Sequence, residues 1–199
     1  MRWFSVWIIF LLSHMLPMRS FGQEMIFDVW VGGRKTGELI LNKVEKDDST
    51  IYTSKTALTI NIFGEINVIY DLTSIYKDSL LISSSVKTYK NYRLNSSASV
   101  TKSTDGYLIE KDGEEAYTYG KLISYSGVKL FFEEPVDQYL LFSEIDGKEK
   151  IIEHTGRHTY RVKSPMASNT SYYTYNESGE LEEIIIDHTI IKFKIKRSG

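Results

Sequence analysis

Apolar and polar side chains alternate along most of this chain. The clearest example is the last segment, where Ile191, Phe193 and Ile195 are separated by lysines. Two further sets follow the same rule, namely Leu58, Ile60 and Ile62, and Val68, Tyr70 and Leu72. Because successive side chains of a strand point to opposite faces, this pattern predicts strands with one face on a core and the other in water.

Turn residues separate the predicted strands at short intervals. Gly32-Gly33, between alternating segments at 26–31 and 36–44, is a strong hairpin signal. Further turns are predicted at Phe63-Gly64-Glu65, Asp105-Gly106, Asp112-Gly113, Asp146-Gly147 and Ser178-Gly179. Strands joined by short turns predict an antiparallel meander and not a βαβ arrangement.

One segment departs from the alternation. Residues 126–135 predict a short helix or helical turn, with Ser126 as its cap and Pro135 as its stop. The fold class is therefore all-β, with one short helix. About ten or more strands in one meander leave edges that strong curling protects, so we expect a large curled sheet of half-barrel or barrel-like shape. Such a sheet either fills its interior with side chains or encloses a cavity.

Residues 1–22 read as a secretory signal peptide. Arg2 supplies the positive start, an apolar run follows from Trp3 to Leu12, and Ser20-Phe21-Gly22 offers a cleavage site before Gln23. The run is too short to span a bilayer, and no second long apolar run follows it. We therefore expect a periplasmic or secreted protein with a single β domain at 23–199 and no integral membrane segment after processing.

Composition narrows the chemistry. The chain has 199 residues, a formal net charge of −2 and no cysteine. The absence of cysteine excludes disulfides, thiolate metal sites and a cysteine nucleophile. The negative charge makes nucleic acid an improbable partner. Glycine-rich phosphate loops and nucleophile elbows are absent from the sequence, and we expect no cofactor.

Candidate catalytic and metal residues are few. His154 and His158 have a zinc-like spacing, but the intervening Gly156 and the strand-like flanks favour a surface hairpin. Glu133-Glu134 is the most obvious pair of carboxylates, and a solvated helix end explains it more simply than a glycosidase site. The tyrosine clusters at 172–175 and 117–119 fit either cross-strand pairs or a mixed polar and apolar pocket.

Several blocks spread over the chain carry a resemblance to a known family. They are residues 27–37, 70–72, 76–85, 130–135, 156–160 and 187–189. With these blocks the chain resembles an uncharacterised family of secreted, β-rich bacterial envelope proteins, a domain of unknown function. The resemblance implies export and a β-meander, and it implies no known activity. More remotely, the layout looks like the half-open sheets of the lipoprotein carriers of the envelope, an architectural analogy only.

Two functions from different classes remain open. The first is a non-enzymatic envelope protein that binds an apolar or lipid-like ligand in the curled sheet, through Trp30, Leu130, Phe131 and Phe132. The apolar triplet would then form a plug or lid, although it could equally complete the core. The second is a carbohydrate or ester hydrolase that uses Glu133 or Glu134 with His158 or His188, which requires these groups to converge in one cleft. A module that binds a protein partner of unknown identity through exposed sheet edges is a third reading.

Overall fold

The computed structural model describes residues 22–61, 64–165, 169–187 and 191–199. The predicted signal peptide, apart from Gly22, lies outside these residues, as does His188. The described chain forms fourteen antiparallel strands and one 3₁₀ helix, Gly127–Phe131. The strands are β1 (Gly22–Val31), β2 (Arg34–Lys46), β3 (Ser49–Asn61), β4 (Glu65–Lys77), β5 (Leu80–Lys90), β6 (Arg93–Ser103), β7 (Gly106–Lys111), β8 (Tyr117–Tyr119), β9 (Leu140–Ser143), β10 (Lys148–Gly156), β11 (Thr159–Lys163), β12 (Thr170–Tyr175), β13 (Leu181–Asp187) and β14 (Lys192–Arg197).

All fourteen strands belong to one sheet. Its order is β8-β7-β6-β5-β4-β3-β2-β1-β14-β13-β12-β11-β10-β9, so β1 lies in the middle and pairs with both β2 and the last strand. The two edges are the short strands β8 and β9. This order makes the predicted meander a single continuous ribbon in which every pairing except β1 with β14 joins strands that follow each other in the chain.

The sheet curls until its two edges meet through side chains. The Tyr117 hydroxyl donates to the carbonyl of Gly147 at 2.5 Å, and the rings of Tyr119 and Phe142 lie 5.0 Å apart. These contacts join β8 to the hairpin formed by β9 and β10 without a ladder of strand hydrogen bonds. The predicted curled, barrel-like sheet is confirmed, and the barrel is not closed by backbone pairing.

The glycine hairpin is confirmed at the first turn. Gly32 and Gly33 have φ angles of 56° and 78°, and the turn joins Val31 to Arg34 in direct register. Two consecutive positive φ angles match the tight hairpin turns whose twist suits antiparallel strands. Glycine adopts this conformation without a steric penalty.

The predicted helical segment is shorter than expected and lies inside the barrel. It is a 3₁₀ helix that ends at Phe131, well before Pro135. It belongs to a longer irregular segment, residues 120–139, which leaves the edge strand β8, crosses the interior and enters β9. We call this segment the strap.

The strap divides the apolar interior into two clusters. Leu130 packs with residues of β1, β2 and β9–β14, whereas Ile123 and Val128 pack with residues of β3–β7 and with Phe142. Phe131 and Phe132 contact both clusters. The strap therefore supplies core side chains to the barrel wall on both sides, and this part of the interior is filled.

Candidate functional site

Tyrosines of the barrel wall hold the strap in place. Four of them donate a hydroxyl hydrogen bond to it: Tyr52 to Glu133 Oε1 (3.0 Å), Tyr76 to Ser126 Oγ (2.6 Å), Tyr160 to Glu134 Oε1 (2.7 Å) and Tyr175 to the Leu130 carbonyl (2.6 Å). An irregular segment inside a barrel has backbone and side-chain polar groups that need partners away from water. Tyrosine can meet this need, because its apolar ring packs in the core while its hydroxyl reaches the strap.

Glu144 is the most deeply buried carboxylate of the described chain. Glu144 lies in the turn between β9 and β10, and the residue is only 3% exposed. Its Oε1 accepts hydrogen bonds from the Ser126 hydroxyl at 2.6 Å and from the Val128 N–H at 3.1 Å, and its Oε2 accepts from the Gly127 N–H at 2.9 Å. Burial raises the pKa of Glu144 above its ordinary value, and these donors oppose the rise.

Glu144 takes the capping role that the sequence assigned to Ser126. The Ser126 side chain makes no capping hydrogen bond to the 3₁₀ helix. Its hydroxyl donates instead to Glu144, which itself accepts the first free N–H groups of the helix. Ser126 therefore occupies the predicted N-cap position, but the capping hydrogen bonds come from the Glu144 carboxylate and not from the serine side chain.

A cavity of about 230 Å³ lies next to this carboxylate. Its inner lining is apolar and includes Leu72, Val128, Leu130 and Phe131. Its polar lining comprises Tyr70, Ser143, Glu144, Asp146, Lys150, Ser164, Asn169, Ser171 and Tyr173. The cavity thus joins the filled part of the barrel to a polar rim.

Tyr70 and Tyr173 place two phenol groups at this cavity from opposite walls, β4 and β12. Within the described residues, neither hydroxyl has a hydrogen-bond partner in the protein. Burial raises the pKa of both phenols, and the negative charge of Glu144 raises them further. Both hydroxyls therefore stay protonated and can donate a hydrogen bond to a molecule in the cavity.

Other inward-facing residues of the barrel wall, outside the cavity lining, are apolar and only partly buried. Leu58, Ile186 and Phe193 face inward, since they alternate with outward-facing neighbours and pack against the core, and each is only partly buried. Val68 has the same inward position on β4, two residues before Tyr70, and is also partly buried. An apolar wall of this kind offers contact area to an apolar ligand.

The structure separates the four residues predicted to bind a ligand. Leu130 is buried, Phe131 and Phe132 are partly buried, and all three lie inside the barrel on the strap. Trp30 lies on the outer face of β1, because it alternates with the buried Val29. It lines a shallow outer groove with Ile185 and three lysines, Lys192, Lys194 and Lys196. Leu130 and Phe131 line the cavity, whereas Phe132 and Trp30 do not.

The candidate hydrolase residues converge only in part. Glu134 accepts a hydrogen bond from Tyr160 and lies 2.9 Å from His158 Nδ1. Glu133 points the other way, toward Tyr52 and Lys129. His158 occupies the turn between β10 and β11 with a φ of 54°, and its Nε2 lies 3.6 Å from Glu177. Glu134 and His158 thus join the end of the strap to a hairpin turn.

Among the described residues, no group of three or more His, Cys, Asp or Glu side chains is placed to hold a metal ion. His154 stacks on the Tyr160 ring at 4.9 Å, in line with the surface-hairpin interpretation. In the described ranges, no helix is both long and apolar enough to cross a bilayer.

No pattern in the sequence indicates the role of Glu144. It lies directly before Ile145-Asp146-Gly147, a stretch that reads as an ordinary turn, and no local motif marks a carboxylate that folds inward. Tyr70 was recognised as an inward-facing strand residue, and a tyrosine-lined pocket was one of the two interpretations of the cluster that contains Tyr173.

Fold and site together define a class: a barrel-like protein made of one curled antiparallel sheet, with a strap through its interior and a small cavity beside a buried carboxylate. The chain belongs to the family described as domain of unknown function DUF6134, whose model matches residues 27–198. The expected membership in an uncharacterised β-rich family is thereby confirmed.

A solved structure has a similar fold. It is a beta-barrel-like protein of domain of unknown function DUF1849 from Brucella abortus, with a TM-score of 0.55 and 8% sequence identity. The match covers 88% of this chain and 95% of the other. At this identity the likeness concerns the fold alone. No curated protein matches the chain.

Proposed function

We propose that this protein is an exported, non-catalytic binding protein that takes an apolar or lipid-like ligand at the cavity end of its barrel. The observation that carries the proposal is the pair of phenol groups, Tyr70 and Tyr173, which face the cavity without a protein partner among the described residues. Both side chains are partly buried, and two hydroxyl donors that are accessible from a cavity with an apolar wall can serve a ligand that has both an acceptor and an apolar part.

The size of the cavity limits how a ligand fits. At about 230 Å³ it is smaller than the roughly 300 Å³ at which pockets for drug-sized ligands begin. The strap fills the other part of the interior, and its hydrogen bonds to the wall tyrosines hold it there. A small ligand would therefore enter whole, whereas a longer one would place one end in the cavity and its chain along Leu58, Val68 and Phe193.

Binding can be tested with two variants that place the same new charge on opposite faces of one strand. Leu58 faces inward on β3, and its neighbour Ala57 is exposed on the outer face. We expect Leu58→Glu to abolish the fluorescence increase of a bound apolar dye such as N-phenylnaphthylamine, and Ala57→Glu to preserve it. Val68→Glu provides a second inward charge if Leu58→Glu does not fold. Equal dye binding by the inward variants and Ala57→Glu would refute the proposal, as would the absence of dye binding by the unmodified protein.

Export is the part of the proposal that rests on residues 1–22. We propose that the positive, apolar and small-residue regions of this segment direct secretion and that cleavage occurs before Gln23. Intact mass and N-terminal sequencing of the protein from a cell-envelope fraction would test this. A cytoplasmic protein that retains Met1 or Arg2 would contradict it.

A hydrolase remains the second candidate, because Glu134 and His158 lie within hydrogen-bonding distance of each other. A carboxylate that orients a histidine is a common part of hydrolytic sites. Activity on a panel of chromogenic esters and glycosides, lost in His158→Gln and retained in His154→Gln, would support this candidate. Equal rates for both variants and the unmodified protein would reject it.

A further inference from the structure

We infer that the cavity selects an uncharged hydrogen-bond acceptor, the carbonyl of an ester or amide attached to an apolar chain, over a free carboxylate. The inference rests on the proposed binding function and specifies the chemistry of its ligand. Two features of the lining lead to it: the two phenol donors without partners among the described residues, and the sign of the buried charge.

Two phenol hydroxyls supply the hydrogen-bond donors of the cavity. Tyr70 and Tyr173 face the cavity from two strands on opposite sides of the sheet order, and each phenol O–H can donate one hydrogen bond. A ligand oxygen between them would satisfy both. Carbonyl, ether, carboxylate and phosphate oxygens all meet this requirement, so the phenols alone do not choose among them.

The negative charge of the cavity lining disfavours an anionic ligand. Glu144 and Asp146 both line the cavity, and the negative charge of each raises the pKa of Tyr70. One cation, Lys150, also lines it, and its Nζ lies 2.7 Å from Asp146 Oδ2. The ion pair neutralises Lys150 and Asp146, which leaves the buried Glu144 as the uncompensated charge when it is ionised. A ligand carboxylate in the cavity would then be repelled by the charge of Glu144.

A neutral acceptor meets no such repulsion. The carbonyl oxygen of an ester or amide can accept from both phenols, and it brings no negative charge toward Glu144 or Asp146.

A matched set of probes separates these chemistries. Methyl octanoate and octanoate share one acyl chain and differ in the charge of the head group. Calorimetric titration of the purified full chain at neutral pH should show the ester binding at least about tenfold more tightly than octanoate, because only the carboxylate is repelled by the negative charge of the lining.

Variants of the cavity lining test whether the preference for the ester arises there. Tyr70→Phe and Tyr173→Phe should together weaken ester binding about tenfold, because each change removes one hydroxyl and little volume. Tyr139→Phe, at a tyrosine 80% exposed, is the matched control and should leave binding unchanged. Asp146→Asn frees Lys150 from its partner and should strengthen octanoate binding relative to the ester.

The outcomes distinguish a failure of the inferred selectivity from a failure of the proposed binding function. If neither probe and no apolar dye binds, the binding function itself fails. If the dye and the probes bind but the affinity for octanoate equals or exceeds that for the ester, the binding function stands and the inferred selectivity is overturned. Ester binding that is insensitive to loss of both phenols also overturns it.

Discussion

The Ser126 hydroxyl lies 2.6 Å from Glu144 Oε1, although Ser126 belongs to the strap and Glu144 lies outside it. Ser126 precedes the 3₁₀ helix, whereas Glu144 follows β9 and belongs to the barrel wall. The Tyr76 hydroxyl donates to the same Ser126 oxygen at 2.6 Å, which extends the connection to β4. One buried carboxylate thus joins the start of the helix to two separate parts of the sheet.

Removal of the Glu144 carboxylate should destabilise the fold strongly. Glu144→Ala leaves the N–H groups of Gly127 and Val128 and the Ser126 hydroxyl without their acceptor in the core. We expect a loss of about 3 kcal/mol in the free energy of unfolding. Urea denaturation followed by circular dichroism measures it. Glu177→Ala, at a carboxylate whose side chain is 71% exposed, is the control and should change little; similar losses for both variants would contradict the assigned role.

The pH dependence of stability should report the protonation of Glu144. Burial raises its pKa in the folded state, so between the ordinary carboxyl pKa and the raised one the folded protein holds a proton that the unfolded chain releases. The contribution of Glu144 to stability is therefore fully present below the ordinary pKa and declines as pH rises through the raised pKa.

Comparison with Glu144→Gln isolates this effect from other carboxylates. Asp146 and Glu149, for example, have lowered pKa values and produce the opposite slope in both proteins. The unfolding free energy of the unmodified protein minus that of Glu144→Gln should decrease from acidic to neutral pH. A difference that increases with pH would mean that the donors outweigh burial and that the pKa of Glu144 is lowered.

Gly37 should not tolerate a side chain. A Cβ atom at this position would lie 2.0 Å from the Ala57 carbonyl oxygen and 2.6 Å from the Leu58 Cα, both in the backbone of β3. Backbone of a paired strand cannot move aside cheaply, so Gly37→Ala should cost about 2–3 kcal/mol. The matched change is Gly22→Ala, where the nearest atom is the Val44 Cγ2 at 3.9 Å. Melting temperatures of the two variants test the contrast, and an equal effect would show that β2 and β3 lie further apart.

Alternation and turn chemistry were sufficient to predict the strands and the meander. Each strand buries one face, so the pattern around residues such as Val68 and Leu72 carries the information locally. The same rule could have placed Trp30 outside, because it shares its face of β1 with Asp28 while Phe27 and Val29 are buried. A ligand-binding role for Trp30 inside the curled sheet does not fit this alternation.

The path of the strap could not be predicted from the alternation of apolar and polar residues. Irregular segments have no period, and the partners of the strap come from residues such as Tyr52 and Tyr175, which are far from it in sequence. The inward turn of Glu144 depends on the N–H groups that it meets there, and these exist only once the chain has folded. Contacts of this kind arise from tertiary structure, and a single sequence does not encode them locally.

The wall tyrosines should contribute to stability through their hydroxyls. Tyr175 is 3% exposed and donates to the Leu130 carbonyl, so Tyr175→Phe leaves a buried acceptor on the strap without its partner. We expect a loss of about 1–2 kcal/mol in the free energy of unfolding. Tyr139→Phe, at an exposed position, serves as the control for the loss of a hydroxyl. No loss in Tyr175→Phe would indicate that the strap is held by apolar packing alone.

Tryptophan fluorescence should distinguish the cavity from the outer groove as the place of binding. In the chain processed before Gln23, Trp30 is the single tryptophan, and it lies on the outer face of β1 beside Ile185 and Lys194. A ligand in the cavity should therefore leave its emission maximum and its quenching by iodide unchanged, while calorimetry records binding. A blue shift that saturates together with the heat signal would place the ligand in the groove around Trp30. Because Trp30→Phe removes the indole and retains an aromatic ring, unchanged affinity in that variant would confirm that the cavity is the binding site.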